Sequence, residues 1–352
     1  MNKIPKTMKG IQLIGHGGNE MNRYSESIAV PSPQKNEVLI KVMAAGVNNT
    51  DINTRIGWYS KGDNDSEDAT WSGDALSFPR VQGADVCGVI VAVGEDTDAS
   101  RIGERVIIEP SMTHARGQEL GSTWYFGSEC DGGFAEYTAV DSRHAFRVNS
   151  DMTDVELASF PCSYSTAENM LTRAKVVEAD TVLVSGASGG VGSAAVQLAK
   201  ARGAKVIAIV GARKKEEMLK LGADQVVVRG DDLVAELGTN SVTVVIDLVA
   251  GEQWPDFLEV LKPKGRYAVS GAIGGAMVEL DVRTLYLKDL SFFGCTVLEP
   301  EVFSNLVKVI EQRKIKPLVA QIFALNEINE AQATFLKKKH IGKLVLKINR
   351  VN

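Results

Sequence analysis

Residues 181–200, TVLVSGASGGVGSAAVQLAK, carry the strongest chemical signal in the chain. A short apolar run ends at Ser185. Gly186, Gly189, Gly190 and Gly192 then make a turn, and an amphipathic stretch begins. Counted from Ala187, the spacing is A-x-G-x-x-G. Such a turn lets backbone N–H groups and a helix N-terminus approach a pyrophosphate, and Gly192 permits tight helix–strand packing. A glycine-rich turn without a ligand is the competing reading. A strand signal before the turn and a helix signal after it weigh against that reading. About 20 residues beyond the glycines, an NAD ribose would meet Asp or Glu. The segment there, VIAIVGARKK (206–215), holds no acid and ends in Arg213, Lys214 and Lys215. Cations attract a 2′-phosphate, so NADPH is the expected cofactor. The plainer reading of the same bases is a solvated helix start.

The elements that must position this turn follow from the apolar pattern. Strand signals at 181–185, 205–210, 225–228, 243–248, 266–270 and 290–297 recur with helix signals at 192–202 and 214–221 among them. That alternation argues a doubly wound parallel sheet. Residues 9–150 have another texture. Short apolar segments at 37–44, 86–93 and 105–108 are separated by Gly, Pro, Asn and Asp, which reads as β-rich. Two polar or Gly-rich stretches, 60–69 and 110–133, read as loops. After 300 a helix (301–312), a strand (318–324), a helix (327–337) and a strand (343–348) are expected, and this piece can complete the first domain. The expected boundaries are 1–152, 153–298 and 299–352.

A chain of 352 residues exceeds what one hydrophobic core supports, which agrees with two domains. The net charge of −5, with no basic block, argues against a nucleic-acid partner. No apolar run is long enough to cross a bilayer, and no signal-peptide stretch follows the N-terminus. Cys87, Cys130, Cys162 and Cys295 form no CxxC pair, and the four histidines are scattered. A reducing, cytoplasmic setting is expected, with no metal cluster visible from spacing.

Several segments in order resemble the medium-chain dehydrogenase/reductase superfamily. They are AAGVNNTDINTRIGWY (44–59), GADVCGVIVAVGEDTDASRIGERV (83–106), CDGGFAEYTAV (130–140), the 185–208 turn and helix, and GKLVL (342–346). The resemblance covers nearly the whole chain. It implies a GroES-like β-rich catalytic domain interrupted by a Rossmann domain and completed by the C-terminus. It also implies an expected cofactor set of Thr166, Ser188, Gly189, Gly190, Val191, Gly271, Ala272 and Ile273, beside Arg213 and Lys214.

The superfamily has zinc and zinc-free branches. Where the zinc branch has a ligand Cys, this chain has Asn48. Where it has a ligand His followed by Glu, this chain has Ala84 and Asp85. Cys162, in FPCSYSTAENML, falls on the third ligand position, but one ligand cannot hold the metal. It reads as a small residue of the site wall, more for packing than for reaction. The closest branch is that of the zinc-free quinone and enone reductases, and no metal is expected.

Without a Lewis acid, hydride transfer to an already activated acceptor is the better chemistry. Quinones and α,β-unsaturated carbonyls are such acceptors. The resemblance places Asn48, Asp51 and Tyr59 at the pocket. Tyr59 is either a donor to the substrate oxygen or pocket wall. Asp51 is either catalytic or a structural carboxylate holding the loop. Thr50 sits where zinc enzymes use a hydroxyl relay. Trp58, Trp71 and Trp124–Phe126 lie on the loops, with 124–126 expected at the cleft. Two other functions compete: an enoyl-thioester reductase, and an NADPH-binding protein of low turnover. The expected partners are a small-molecule substrate and a second copy of the chain. The homodimer is expected through the apolar edge strand 290–297.

Overall fold

The computed structural model describes residues 3–60 and 75–348. The chain divides into two compact units. One holds residues 1–162, 317–339 and 343–352, and the other residues 163–316 and 340–342.

The first unit is β-rich. It begins with β1 (Thr7–Leu13), β2 (Asn22–Ala29) and β3 (Glu37–Val47), followed by the short helix α1 (Asn49–Arg55). Then come β4 (Arg80–Val81), β5 (Asp85–Val93), β6 (Arg105–Ile108), β7 (Ser111–Ala115), β8 (Gln118–Tyr125), β9 (Tyr137–Asp141) and β10 (Ala145–Arg147), and the helix α2 (Asp154–Leu157). The stretch 110–133, expected as a loop, contains the antiparallel hairpin β7–β8. Its polar and aromatic residues hid the pairing, because strand signals rest on apolar alternation. The stretch 60–69 and Trp71 lie largely or wholly outside the described residues.

The second unit takes most of α3 (Pro161–Arg173), then β11 (Thr181–Val184), α4 (Gly190–Ala201), β12 (Lys205–Val210), α5 (Lys215–Leu221) and β13 (Gln225–Val228). It continues through α6 (Leu233–Leu237), β14 (Val242–Asp247), α7 (Trp254–Val260), β15 (Leu261–Val269), α8 (Val282–Leu287), β16 (Ser291–Gly294) and α9 (Val302–Glu311). Its six strands are all parallel, in the order β13-β12-β11-β14-β15-β16. This is the Rossmann strand order, with the reversal beside β11. Strands covered on both faces read as continuous apolar runs. Val182, Leu183 and Val184 of β11 are all fully buried.

The chain then returns to the first unit with β17 (Val319–Ala324), α10 (Ile328–Leu336) and β18 (Lys343–Lys347). β18 pairs antiparallel with β3, and β5 pairs with β3 along its other edge. The sheet runs β10-β6-β5-β3-β18-β17, with β9 also on β3. C-terminal strands thus lie in the sheet of the first unit. The expected boundaries shift, however. Residues 153–162 belong to the β-rich unit, and 299–316 to the Rossmann unit. The second shift has a packing reason within that unit. Asn169 donates to Val297 O at 3.0 Å and accepts from Glu299 N at 3.1 Å. Tyr164 reaches Lys316 O at 3.1 Å.

Candidate active and cofactor sites

The glycine turn is built as its spacing predicts. β11 ends at Val184, Gly186 takes φ +57°, and α4 starts at Gly190, two residues earlier than expected. Two glycines here have different reasons. Gly186 occupies the left-handed region that L side chains avoid. A Cβ on Gly192 would stand 2.6 Å from Ala187 Cα and strike the Gly186 carbonyl. Gly189 carries no such steric demand and is exposed. The first amides of α4 have no partner inside the helix and point toward the turn, the geometry that accepts a phosphate.

The cations lie where the second strand ends. Arg213 and Lys214 form a tight turn immediately after β12. Lys214 is not a free surface base. Its Nζ donates to Ser188 Oγ at 3.1 Å and to His340 O at 2.6 Å, and so ties the glycine turn to the returning C-terminal segment. Burial, and then the charge of Arg229, hold its pKa below the usual lysine value. Arg229 itself escaped the sequence reading. It follows β13, and its backbone N–H donates to Val210 O at 2.7 Å, beside the end of β12. A cation just after a strand that pairs parallel to β12 was the available signal. Neither Arg213 nor Arg229 has a carboxylate within ion-pair distance among the described residues. Gly271 lies beyond β15, where a Cβ would approach Leu248 O to 2.7 Å, and Ile273 is exposed. Val191 and Thr166 are half-buried, as are Ser188, Gly190 and Ala272.

The residues expected at the substrate pocket all belong to the β-rich unit. β3 brings them together. Asn48 follows its end, Asp85 opens β5 on one side, and Lys343 opens β18 on the other. Gly46 pairs with Asp85 and with Val345. A Cβ on Gly46 would stand 2.8 Å from Ala158 O, so glycine is required for this close approach.

Lys343 Nζ contacts Asp85 Oδ2 at 2.7 Å and also donates to Asn48 Oδ1. Asn48 Nδ2 donates to the same Asp85 oxygen at 2.8 Å. The other Asp85 oxygen accepts from Cys162 N. The side chains of Lys343 and Asp85 are 2% and 0% exposed. Removing one member of such a buried pair costs about 3–5 kcal/mol, because the other charge is left uncompensated. Lys343 had been read only as part of a terminal motif. Nothing in local sequence marks a strand-opening lysine as buried.

Asp51 turns inward as the third residue of α1. Its Oδ2 accepts from Asn48 N at 2.7 Å, and its main-chain carbonyl accepts from Gln82 Nε2 at 2.9 Å. Burial raises its carboxyl to about 7, against the opposing effect of the Asn48 amide. This geometry favours the loop-holding reading of Asp51. Tyr59 comes back over α1 through Gly57, at φ +72°, and donates to Thr50 Oγ1 at 3.0 Å. The structure thus joins Tyr59 and Thr50 in one hydroxyl pair. Burial raises the Tyr59 phenol.

Cys162 packs with Ala84 and Tyr125, and its sulfur lies 2.9 Å from Tyr125 Oη. Burial pushes its thiol up to about 12, so it is neutral and poorly nucleophilic. The expectation for residues 124–126 needs correction. Only Tyr125 meets this cluster. Phe126 is 1% exposed in the barrel core, because its backbone is pinned to Pro110 O. Trp124 packs on that core and lines a 430 Å³ cavity with Met112 and Cys130.

Comparison with known proteins agrees with this architecture. Residues 34–150 match the alcohol dehydrogenase GroES-like domain, and 190–312 match the zinc-binding dehydrogenase family. A crystal structure of a candidate alcohol dehydrogenase from Sinorhizobium meliloti 1021 is 46% identical. It covers 99% of each chain at a TM-score of 0.92. The chain belongs to the medium-chain dehydrogenase/reductase superfamily. It is therefore an oxidoreductase of a nicotinamide-dinucleotide-dependent family. Human quinone oxidoreductase is 28% identical over 97% of this chain and 98% of its own. Acryloyl-coenzyme A reductase of Metallosphaera sedula is 29% identical, over 96% and 99%. No helix among the described residues is long and apolar enough to cross a membrane.

The family description raises zinc, and the donor set here does not fit it. Asn48 and Ala84 offer neither thiolate nor imidazole, which leaves Cys162 as the single thiol of the three positions, and Lys343 Nζ lies against Asn48.

Proposed function

We propose that this chain is an NADPH-dependent reductase that works without zinc and delivers hydride to a conjugated acceptor, a quinone or an α,β-unsaturated carbonyl. The observation that carries the reading is that Asn48 and Ala84 stand at two of the three metal-ligand positions, with Lys343 Nζ bound to Asn48 and Asp85. With no Lewis acid to polarise an isolated ketone, the acceptor must itself be activated.

The cofactor assignment rests on the end of β12. No acid stands there to meet a ribose hydroxyl, and Arg213, Lys214 and Arg229 gather instead. The α4 N-terminus and the Gly186–Gly192 turn would hold the pyrophosphate. When bound, the dihydronicotinamide supplies the hydride. The protein's own contribution is a fixed donor. Tyr59 turns its single phenolic hydrogen from Thr50 Oγ1 to the substrate oxygen as negative charge develops there, and the Thr50 hydroxyl in turn donates to Tyr59 Oη. Asp51 and Asn48 hold the N-terminus of the helix that carries Thr50.

The relatives support a conjugated acceptor, since their names specify a quinone in one case and an acryloyl thioester in the other. The second name keeps an enoyl-thioester substrate as the alternative. Steady-state oxidation of NADPH against 1,4-benzoquinone, an enal and acryloyl-CoA decides the substrate class. Turnover with saturated ketones alone, or stoichiometric zinc in the native chain, would overturn the reading. NADPH binding without turnover on the whole panel would favour a binding protein.

A further inference from the structure

We infer that Tyr125 is a second catalytic donor, whose phenol binds the acceptor oxygen from the end of the β7–β8 hairpin. The inference rests on the zinc-free reductase reading and adds to it a residue outside the 48–59 segment.

The hairpin aims this ring. Tyr125 ends β8, paired with Ser111 of β7, and its main-chain N–H donates to Glu129 Oε2 at 2.7 Å. The next residue, Phe126, donates from its main chain to Pro110 O at 2.8 Å and is buried in the barrel core. Successive side chains of an extended chain point to opposite faces. Anchoring Phe126 in the core therefore turns Tyr125 away from it, onto Ala84 and Cys162. The small side chain at position 84 leaves the ring its room.

Those neighbours decide what the phenol meets. Ala84 and Cys162 stand at two of the three ligand positions of the metal-dependent branch, where a bound ion polarises the acceptor oxygen. An acceptor reduced at the same place brings its oxygen to this cluster. Tyr125 Oη lies 2.9 Å from Cys162 Sγ. Sulfur is a weak acceptor, and S–H a weak donor, so this contact yields readily to a better one. The single phenolic hydrogen turns to the acceptor oxygen, and the thiol donates to Tyr125 Oη. Hydrogen bonds to an ionised acceptor are roughly twice as strong as neutral ones, which favours the exchange as charge develops. The phenol keeps its proton throughout. The electron pair displaced by the incoming hydride stays on the acceptor oxygen until solvent protonates it. Tyr59 belongs to the same site, since it acts electrostatically on both Tyr125 and Cys162.

Tyr125→Phe tests the inference, because it removes the hydroxyl and leaves the ring that packs on Ala84. Against the acceptor that the native enzyme reduces best, kcat is expected to fall about 100-fold, the usual cost of one oxyanion donor, with NADPH affinity unchanged. A structural role could also lower kcat, so binding of an oxyanion is measured separately. The probe is 4-nitrophenolate, titrated into the NADP+ complex and followed by its visible absorption. Tyr125→Phe should weaken its binding about tenfold, the loss of one charge-assisted hydrogen bond. Native kcat in the variant overturns the inference. So does a lowered kcat with 4-nitrophenolate bound as in the native enzyme, or with an equal loss of NADPH affinity. A native chain inactive on the whole acceptor panel would instead defeat the reductase reading, so the two failures are distinguishable.

Discussion

Tyr59 donates its phenolic hydrogen to Thr50 Oγ1 at 3.0 Å, across the first turn of the short helix that follows β3. The bond aligns two hydroxyls but uses the one hydrogen of the phenol, so donation to a substrate requires the pair to reverse, with Thr50 donating to Tyr59 Oη. Burial keeps the phenol protonated, as a donor must be. Tyr59→Phe is expected to lower kcat about 100-fold, within the usual range for loss of a general acid or oxyanion donor, with NADPH affinity unchanged. A kcat equal to that of the native enzyme would make Tyr59 pocket wall. Thr50→Val should give a smaller loss, because the phenol remains.

The three cations beyond β12 and β13 are not equivalent. Arg229 and Arg213 are exposed and lack carboxylate partners among the described residues, whereas Lys214 holds Ser188 and His340. Arg229→Ala should weaken NADPH about tenfold, the loss of one charge-assisted phosphate contact, and leave NADH unchanged. Lys214→Ala should weaken both cofactors, since it also loosens the glycine turn. Calorimetric titration with each nucleotide checks both. An equal effect of Arg229→Ala on NADPH and NADH would remove it from 2′-phosphate recognition.

Asp51 links stability to pH. Its carboxyl is raised to about 7 in the folded chain, mainly by burial, from an ordinary unfolded value near 3.8. Between those limits the folded state binds the extra proton. The stabilisation is therefore complete below the unfolded value, and it is lost as pH rises through 7. The slope reaches at most about 1.4 kcal/mol per pH unit for one proton. Asp51→Asn, which keeps an acceptor for Asn48 N, should flatten the fall of the thermal midpoint between pH 3.8 and about 7, the window set by these two values. Parallel melting curves for the two proteins would exclude Asp51 as the titrating group.

β16 ends the parallel sheet, pairing with β15 only among the described residues, and its Phe292 is 38% exposed. Leu287 is 72% and Val297 46% exposed, while Cys295 is 1% exposed. A homodimer across this edge is expected, and because Cys295 faces inward, the exposed side chains are the ones that test it. Leu287→Glu or Val297→Asp should shift light-scattering mass from dimer to monomer. Cys295→Asp should instead destabilise the fold itself, by burying an unpaired carboxylate. A native chain that is monomeric at micromolar concentration would rule the interface out.

The sequence by itself determined the parts that depend on neighbours along the chain. The glycine turn and the alternation of strand with helix lie within short windows, and they were enough to specify the Rossmann unit. The apolar segments of β3, β5 and β6 were legible for the same reason. The loss of Cys and His at Asn48 and Ala84 was legible through resemblance alone. Tertiary structure decided the rest, because the deciding partners come from distant strands. Lys343 becomes a buried cation only when β18 pairs with β3 opposite β5, and Arg229 joins Lys214 only when β13 docks on β12. Asp51 was ambiguous as a residue. It became a helix-holding carboxylate with a raised pKa once Asn48, Asp85 and Lys343 closed around it. Burial and charge at a point are sums over neighbours in space, and a linear reading has no access to those sums.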